Sequence, residues 1–356
     1  MKTFCLIAAA AALSCVRLSG QGLESELFLT EDYLKSLNLE LSYEITVDKS
    51  GGVEFQKSYV KKKGEPPAPG RKDRIKLSYD APPKEGISPI TSIKVDAAFS
   101  EKGIKVKRTL GDGAWSYFYM ADDASFVYDA PAENAGGKHM VLDTEELIKR
   151  KMSKQSHPFI LDYFTKDVGG FSDGSYDWKP WHSILEEMVF NGGMSISADI
   201  GNPEEKTFTF FMGTKKMPNM NSCKFVFKKM GDFFYPVKFE KATRTSSYPG
   251  IPPAFVLKFE NYELLADGKN YFPRKVVYEQ YFTMPWQDND GAVHYDPPVL
   301  LERHTINITK MRQISEQEFA DCMPMSIPSG ARIQNNLTGE STVAGDVLKL
   351  LNESSK

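Results

Sequence analysis

The chain is poor in the side chains that most enzymes and metalloproteins depend on. Its 356 residues include five histidines and four cysteines. His139, His157, His182, His294 and His304 never fall in the H-x-x-x-H or H-E-x-x-H spacings that set two ligands on one helix face. His182 and Glu186 are four apart on an expected helix, but on its polar face, where a solvated pair is the plainer account. No Gly-Lys-Ser/Thr phosphate loop occurs, and Gly111-Asp112-Gly113 lacks the third glycine of a dinucleotide fingerprint. Gly170-Phe171-Ser172-Asp173-Gly174 spells G-x-S-x-G. A nucleophile elbow needs a hydrophobic strand before the serine and a helix after it, and here both flanks read as loop. Asp288-Asn289-Asp290-Gly291 hints at a calcium loop, yet the EF-hand register would demand ligands at Trp286 and Pro297. A polar turn is expected instead. The sequence therefore reads as non-enzymatic, with no cofactor and no metal.

Long apolar runs are also missing after the N-terminus. Residues 1–20 read as a signal peptide: Lys2 gives the positive start, and Phe4 to Leu13 is too short to span a membrane. Leu18-Ser19-Gly20 suits ordinary cleavage. Ala12-Leu13-Ser14-Cys15 resembles a lipobox, so lipidation at Cys15 and its removal with the leader both remain open. The expected destination is the periplasm or cell envelope. Losing Lys2 and Arg17 leaves 42 basic against 47 acidic residues, a net charge of −5. That balance argues against a nucleic-acid partner, which needs a basic surface. Cys223 and Cys322 would remain after export, as one disulfide or as two buried thiols.

What is present is a two-residue period. Leu39, Leu41, Tyr43, Ile45 and Val47 alternate with Glu40, Ser42, Glu44, Thr46 and Asp48, which describes a strand with one dry face. Lys49 to Gly52 reads as a turn and Val53 to Val60 as its partner strand. Further strands are expected at 74–79, 92–99, 104–110, 115–120 and 125–128, joined by short hairpins. After 194 the pattern resumes at 195–200, 207–212, 224–229, 234–242, 254–262, 271–282 and 303–311, with turns at Gly231-Asp232 and Asp267-Gly268. Helices are expected near 30–37, at 144–153, from Lys179 to Phe190, and weakly at 343–352. The fold class is mainly β and antiparallel: one domain over 25–335, with a helical insertion at about 143–190 and a tail at 336–356.

Aromatic residues concentrate on the strands. Trp115, Tyr117 and Tyr119 share a face, as do Phe208 and Phe210. On the Lys179–Phe190 helix, Trp181, Ile184, Leu185 and Met188 share another. Ordinary sheet core and the lining of a ligand cavity both account for these sets, and they are the candidate ligand-binding residues. Lys61, Lys62, Lys63, Arg71 and Lys72 form the strongest basic patch. It reads either as a hairpin tip kept soluble by lysine or as a peripheral contact with anionic membrane headgroups. Sequons stand at Asn307, Asn336 and Asn352.

The order helix, meander, helices, meander resembles the periplasmic outer-membrane lipoprotein carriers (LolA-like) and related lipoprotein-sorting proteins. Asp112-Gly113-Ala114-Trp115-Ser116-Tyr117 is similar to that family's D-G-x-x-x-x-Y step. Asp267 to Arg274 is similar to its D-G-x-x-x-P hairpin, and Phe319 with Ile327-Pro328-Ser329-Gly330-Ala331 to its closing phrase. The basic loop and the stretch Asp129 to Lys179 depart from the family. The resemblance implies an incomplete antiparallel β-barrel, with an N-terminal helix and covering helices over an apolar concave face. It implies a carrier whose partner is an apolar ligand, a lipid or an acylated lipoprotein. A non-catalytic envelope module on the same scaffold is the alternative. A dry cavity favours the first, a filled core the second, and a polar cleft holding histidine or paired carboxylates would revive catalysis.

Overall fold

The computed structural model describes residues 36–62, 70–74, 88–121, 124–131, 137–145, 147–148, 151, 160, 195–199, 201–214, 217–243, 253–325 and 330–343. The expected signal peptide with Cys15, Lys63, the G-x-S-x-G stretch, the helix expected from Lys179 to Phe190 and the residues beyond Val343 lie outside them.

The chain is mainly β. Its first strand, β1 (Leu39–Asp48), alternates buried and half-buried residues along its whole length. It is followed by α1 (Ser50–Lys62), the short β2 (Arg71–Arg74), β3 (Ile90–Ser100), β4 (Gly103–Leu110), β5 (Trp115–Ala121), β6 (Ser125–Ala130) and β7 (His139–Leu142). The second half runs through β8 (Ser195–Asp199), β9 (Glu205–Thr214), β10 (Met217–Met230), β11 (Phe233–Thr243), β12 (Phe255–Leu264) and β13 (Tyr271–Phe282). The hairpin β14 (Pro285–Asp288) and β15 (Val293–Tyr295) leads into β16 (Val299–Gln313). Helix α2 (Glu316–Asp321), β17 (Arg332–Asn335) and β18 (Glu340–Val343) complete the described chain.

Fifteen strands form one sheet in the order β18-β17-β7-β6-β5-β4-β3-β1-β16-β13-β12-β11-β10-β9-β8. The sheet does not close into a barrel. Each meander supplies one wing. The seam is β1 beside β16, which pairs Ile45 with Ile306 across 261 residues of sequence. Only the β7–β17 ladder is parallel among the described pairs. Strands β15, β14 and β2 make a separate small sheet.

One expectation is corrected here. Residues 53–60 belong to α1 and are not a strand. A strand has two edges, and β3 and β16 occupy both edges of β1. The chain leaving β1 turns helical instead: the Asp48 carboxylate accepts the Ser50 N–H at 2.8 Å, and the Val53 N–H donates to the Lys49 carbonyl at 3.0 Å. Arg74 is the last residue of β2, and the rest of the strand expected at 74–79 lies outside the described residues. Cys223 and Cys322 are thiols, not a bridge. Cys223 sits in the main core on β10, while Cys322 caps α2 on a separate small cluster.

Of the helical insertion expected at about 143–190, only a few residues up to Ile160 are described. Glu145, Leu147, Ile148, Lys151 and Ile160 are helical. Ile148 and Ile160 are fully buried in the main core, and the Ile160 N–H donates to the Tyr43 hydroxyl at 3.4 Å.

Candidate functional site

Period-two strands in register make continuous rows of side chains. One row runs Val141–Val127–Phe118–Val106–Ala97–Leu41 from β7 to β1. From β1 onward, Ile45 meets Ile306, then Val276 and Phe259. The neighbouring row continues Leu257–Phe239–Phe225–Phe208 out to β9. All these residues belong to one buried cluster. At about 4.8 Å between strands, twelve adjacent strands give a dry inner surface roughly 50 Å wide along the sheet. Its β9–β13 wing is dense in rings: Phe225 lies 4.7 Å from Phe239 and 6.4 Å from Phe227, and Phe239 lies 5.4 Å from Phe255.

Polar groups interrupt this face at two places. Arg108 on β4, 1% exposed, stands opposite Val95 with its guanidinium 5.3 Å from the Phe118 ring. Near the start of β16, His304, 5% exposed, stands opposite Val47 and 5.1 Å from the Tyr278 ring. Its Nε2 hydrogen-bonds the Glu302 carboxylate, which also meets the Lys49 ammonium at 3.4 Å. Burial works to raise the Glu302 carboxyl, but the hydrogen bond and charge of His304, joined by Lys49, outweigh it and hold the group at about 2. Burial pushes the Tyr278 hydroxyl well above the usual phenol range, and the Glu302 charge adds to the effect.

These polar positions carry little signal in the sequence. Histidine motifs on helices have spacings of three or four, whereas Glu302 and His304 are two apart on a strand, the spacing that puts both on one face. Arg108 was the odd polar residue in an apolar alternation, and that was its only signal.

The expected ligand-binding residues do not form one set. Phe208 lies on the inner face. Phe210 is placed on β9 opposite Cys223, but its side chain is outside the described residues, as are Trp181, Ile184, Leu185 and Met188. Trp115, Tyr117 and Tyr119 point the other way. Phe118 and Met120 take the inner face of β5, so the trio faces outward. There it packs with Phe126, Tyr128 and Met140 beneath the segment after α2, which contributes Met323, Met325, Ala331 and Ile333. Of the basic patch, Lys61 and Lys62 are placed on α1 and Arg71 and Lys72 on β2, with their side chains outside the described residues. The calcium-like stretch is a hairpin turn: the Asp288 carboxylate accepts the N–H groups of Asp290 and Ala292 and bonds His294 at 2.8 Å. Among the described residues no three His, Cys, Asp or Glu side chains gather for a metal, and no helix is long and apolar enough to cross a membrane.

No family model matches the chain, and no curated protein matches it. Among solved structures, it is similar to a DUF1329 family protein from Desulfovibrio piger, 10% identical over 81% of this chain and 92% of that one, with a TM-score of 0.33. An acetoacetate decarboxylase from Legionella pneumophila follows at 7% identity over 78% and 87%, with a TM-score of 0.09. Likenesses this distant carry no argument about function.

Proposed function

We propose that this chain is an exported carrier, working in the periplasm or cell envelope, that binds a lipid or an acylated protein on the inner face of its open sheet without catalysis. The observation that supports the reading is the inner face itself: an apolar surface on both wings, broken only at Arg108 and at His304 and gathered into one buried cluster, with rings massed on one wing. The arrangement agrees with the incomplete barrel that the lipoprotein-carrier resemblance implies. The basic residues of α1 and β2 would bring the protein to anionic membrane surfaces. Glu302, His304 and Tyr278 are the observation that favours a second, acid–base reading, because a buried histidine–carboxylate pair is a group that catalysis uses.

Native mass spectrometry of the purified protein is expected to show a co-purifying lipid, and delipidated protein should bind a fluorescent acyl probe. Phe225→Asp should weaken that binding, with Lys224→Asp on the opposite face as its control. His304→Gln should leave it unchanged if the histidine plays no part in recognition. A delipidated wild type that binds no acyl probe would sink the carrier reading.

A further inference from the structure

Arg108 is the buried end of a polar row at the margin of one wing, where the strands end beside the turn at 111–114. Arg108 on β4 stands opposite Ser116 on β5, Ser116 opposite Asp129 on β6, Asp129 opposite His139 on β7, and His139 opposite Arg332 on β17. Two residues along the same strands, Val106, Phe118, Val127 and Val141 belong to the inner cluster, so the row shares their face. Ile333 packs outward, which turns Arg332 inward. Burial deepens along the row: Arg332 is exposed, His139, Asp129 and Ser116 are half-buried, and Arg108 is buried. Among the described residues, the side chains of Ser116, Asp129 and His139 have no hydrogen-bond or ion-pair partner. A polar row thus runs beside the apolar row Val141–Val127–Phe118–Val106, about 7 Å from it.

We infer that this margin is the headgroup subsite of the carrier and takes a zwitterionic amphiphile, a phosphoethanolamine lipid, with its phosphate against Arg108 and Ser116 and its ammonium against Asp129. The inference rests on the carrier reading above and names the ligand class. A guanidinium is always charged, and its planar fork of N–H donors matches phosphate oxygens. The Phe118 ring supports it from one side at 5.3 Å. The Ser116 hydroxyl adds a donor in the next strand. Asp129 is one strand further, about 10 Å from Arg108 along the row, and accepts from the ammonium. The ethanolamine link bridges the two charges as both side chains reach inward. A head with negative charge alone meets repulsion from the Asp129 carboxylate, and an uncharged head forgoes both charge-assisted contacts. The acyl chain then lies along the neighbouring apolar row toward the seam.

The test is equilibrium binding of the delipidated full chain to three fluorescent single-chain lipids. They share one acyl tail and carry a phosphoethanolamine, a phosphoglycerol or an uncharged glycerol head. Wild type should bind the phosphoethanolamine probe about tenfold tighter than either of the others. Asp129→Asn keeps the side chain's shape at a half-buried position. It should erase the preference over phosphoglycerol and leave the affinity for the uncharged probe unchanged. Arg108→Gln should bring the phosphoethanolamine probe down toward the uncharged one, with unfolding midpoints to show that each variant folds. The wild-type ranking needs no variant at all. Equal binding of the three probes by wild type, or a phosphoglycerol probe that binds tightest, would overturn the headgroup assignment and leave the carrier reading standing. An Asp129→Asn protein that keeps the full preference would overturn it too. Wild type that binds none of the three would overturn both.

Discussion

The Lys105 ammonium donates to the Phe319 carbonyl at 2.6 Å, and the same nitrogen reaches the Ala320 carbonyl at 2.9 Å as well as that of Cys322. A lysine 6% exposed thereby satisfies carbonyls that the end of α2 leaves without helical partners. The contact ties the end of the long strand β16 to the opposite wing of the sheet. Lys105→Met keeps the aliphatic stem and removes the donor, so it should cost about 2–4 kcal/mol. Denaturant unfolding measures the loss. Limited proteolysis should show new cleavage between 319 and 330. Wild-type stability together with wild-type resistance would mean that the segment is held by its apolar contacts alone.

Glu302 gives a pH dependence whose sign is fixed. Its folded carboxyl sits at about 2 against an ordinary 4.5. The stability it contributes is therefore complete above about 4.5 and lost as the pH falls toward 2, and solvent screening at this half-buried site keeps it below the roughly 3 kcal/mol that the whole shift would represent. Other held-down carboxylates, Glu318 and Glu40 among them, also weaken the fold in acid, so the readout is a difference between variants. Unfolding midpoints from pH 6 to pH 2 should fall less steeply in Glu302→Gln than in wild type. His304→Gln should move the loss toward higher pH. Parallel acid limbs in all three proteins would refute the pairing.

Gly51 should not tolerate a methyl group. A Cβ there would stand 1.8 Å from the Leu300 carbonyl oxygen, which is backbone and cannot swing aside. Gly51→Ala must push α1 off β16, at a cost on the order of 3 kcal/mol or more. Gly111→Ala is the control: its nearest atom is the Ser92 carbonyl oxygen at 4.0 Å, and its midpoint should barely move.

Two tyrosines on neighbouring strands should respond in opposite directions to loss of the hydroxyl. Tyr117 donates to the Met323 carbonyl, and Tyr117→Phe should cost about 1 kcal/mol. The Tyr128 hydroxyl is buried and has no hydrogen-bond partner among the described residues, so Tyr128→Phe should leave stability unchanged or raise it by about 1 kcal/mol. Thermal unfolding of the two variants side by side decides the matter. A loss in Tyr128→Phe as large as that in Tyr117→Phe would mean that a bound water satisfies the hydroxyl.

Local chemistry was legible where it decides local structure. Alternation located β3 to β6 and β8 to β13. The turns at Gly231 and Gly268 stand at φ +62° and +69°, the region glycine enters freely. Alternation also separated Phe118 from Tyr117 and Tyr119, because successive side chains on a strand leave opposite faces. The short strands β7, β14, β15, β17 and β18 are not legible in the sequence, since three or four residues carry too little period.

Pairing belongs to the tertiary structure. Val53 to Val60 follow a turn-like sequence and contain apolar residues at spacings that suit a strand or a helix. What made them a helix was the arrival of β16 from the far end of the chain, which took the edge they would have needed. The same closure decided which face of β5 looks inward, sending Trp115, Tyr117 and Tyr119 out to meet Met323 and Met325, and bringing Phe208 into one core with Phe118. A two-residue period states that a strand has two faces. Which of them is the inside depends on neighbours hundreds of residues away, because burial is a property of the assembled sheet and not of the strand.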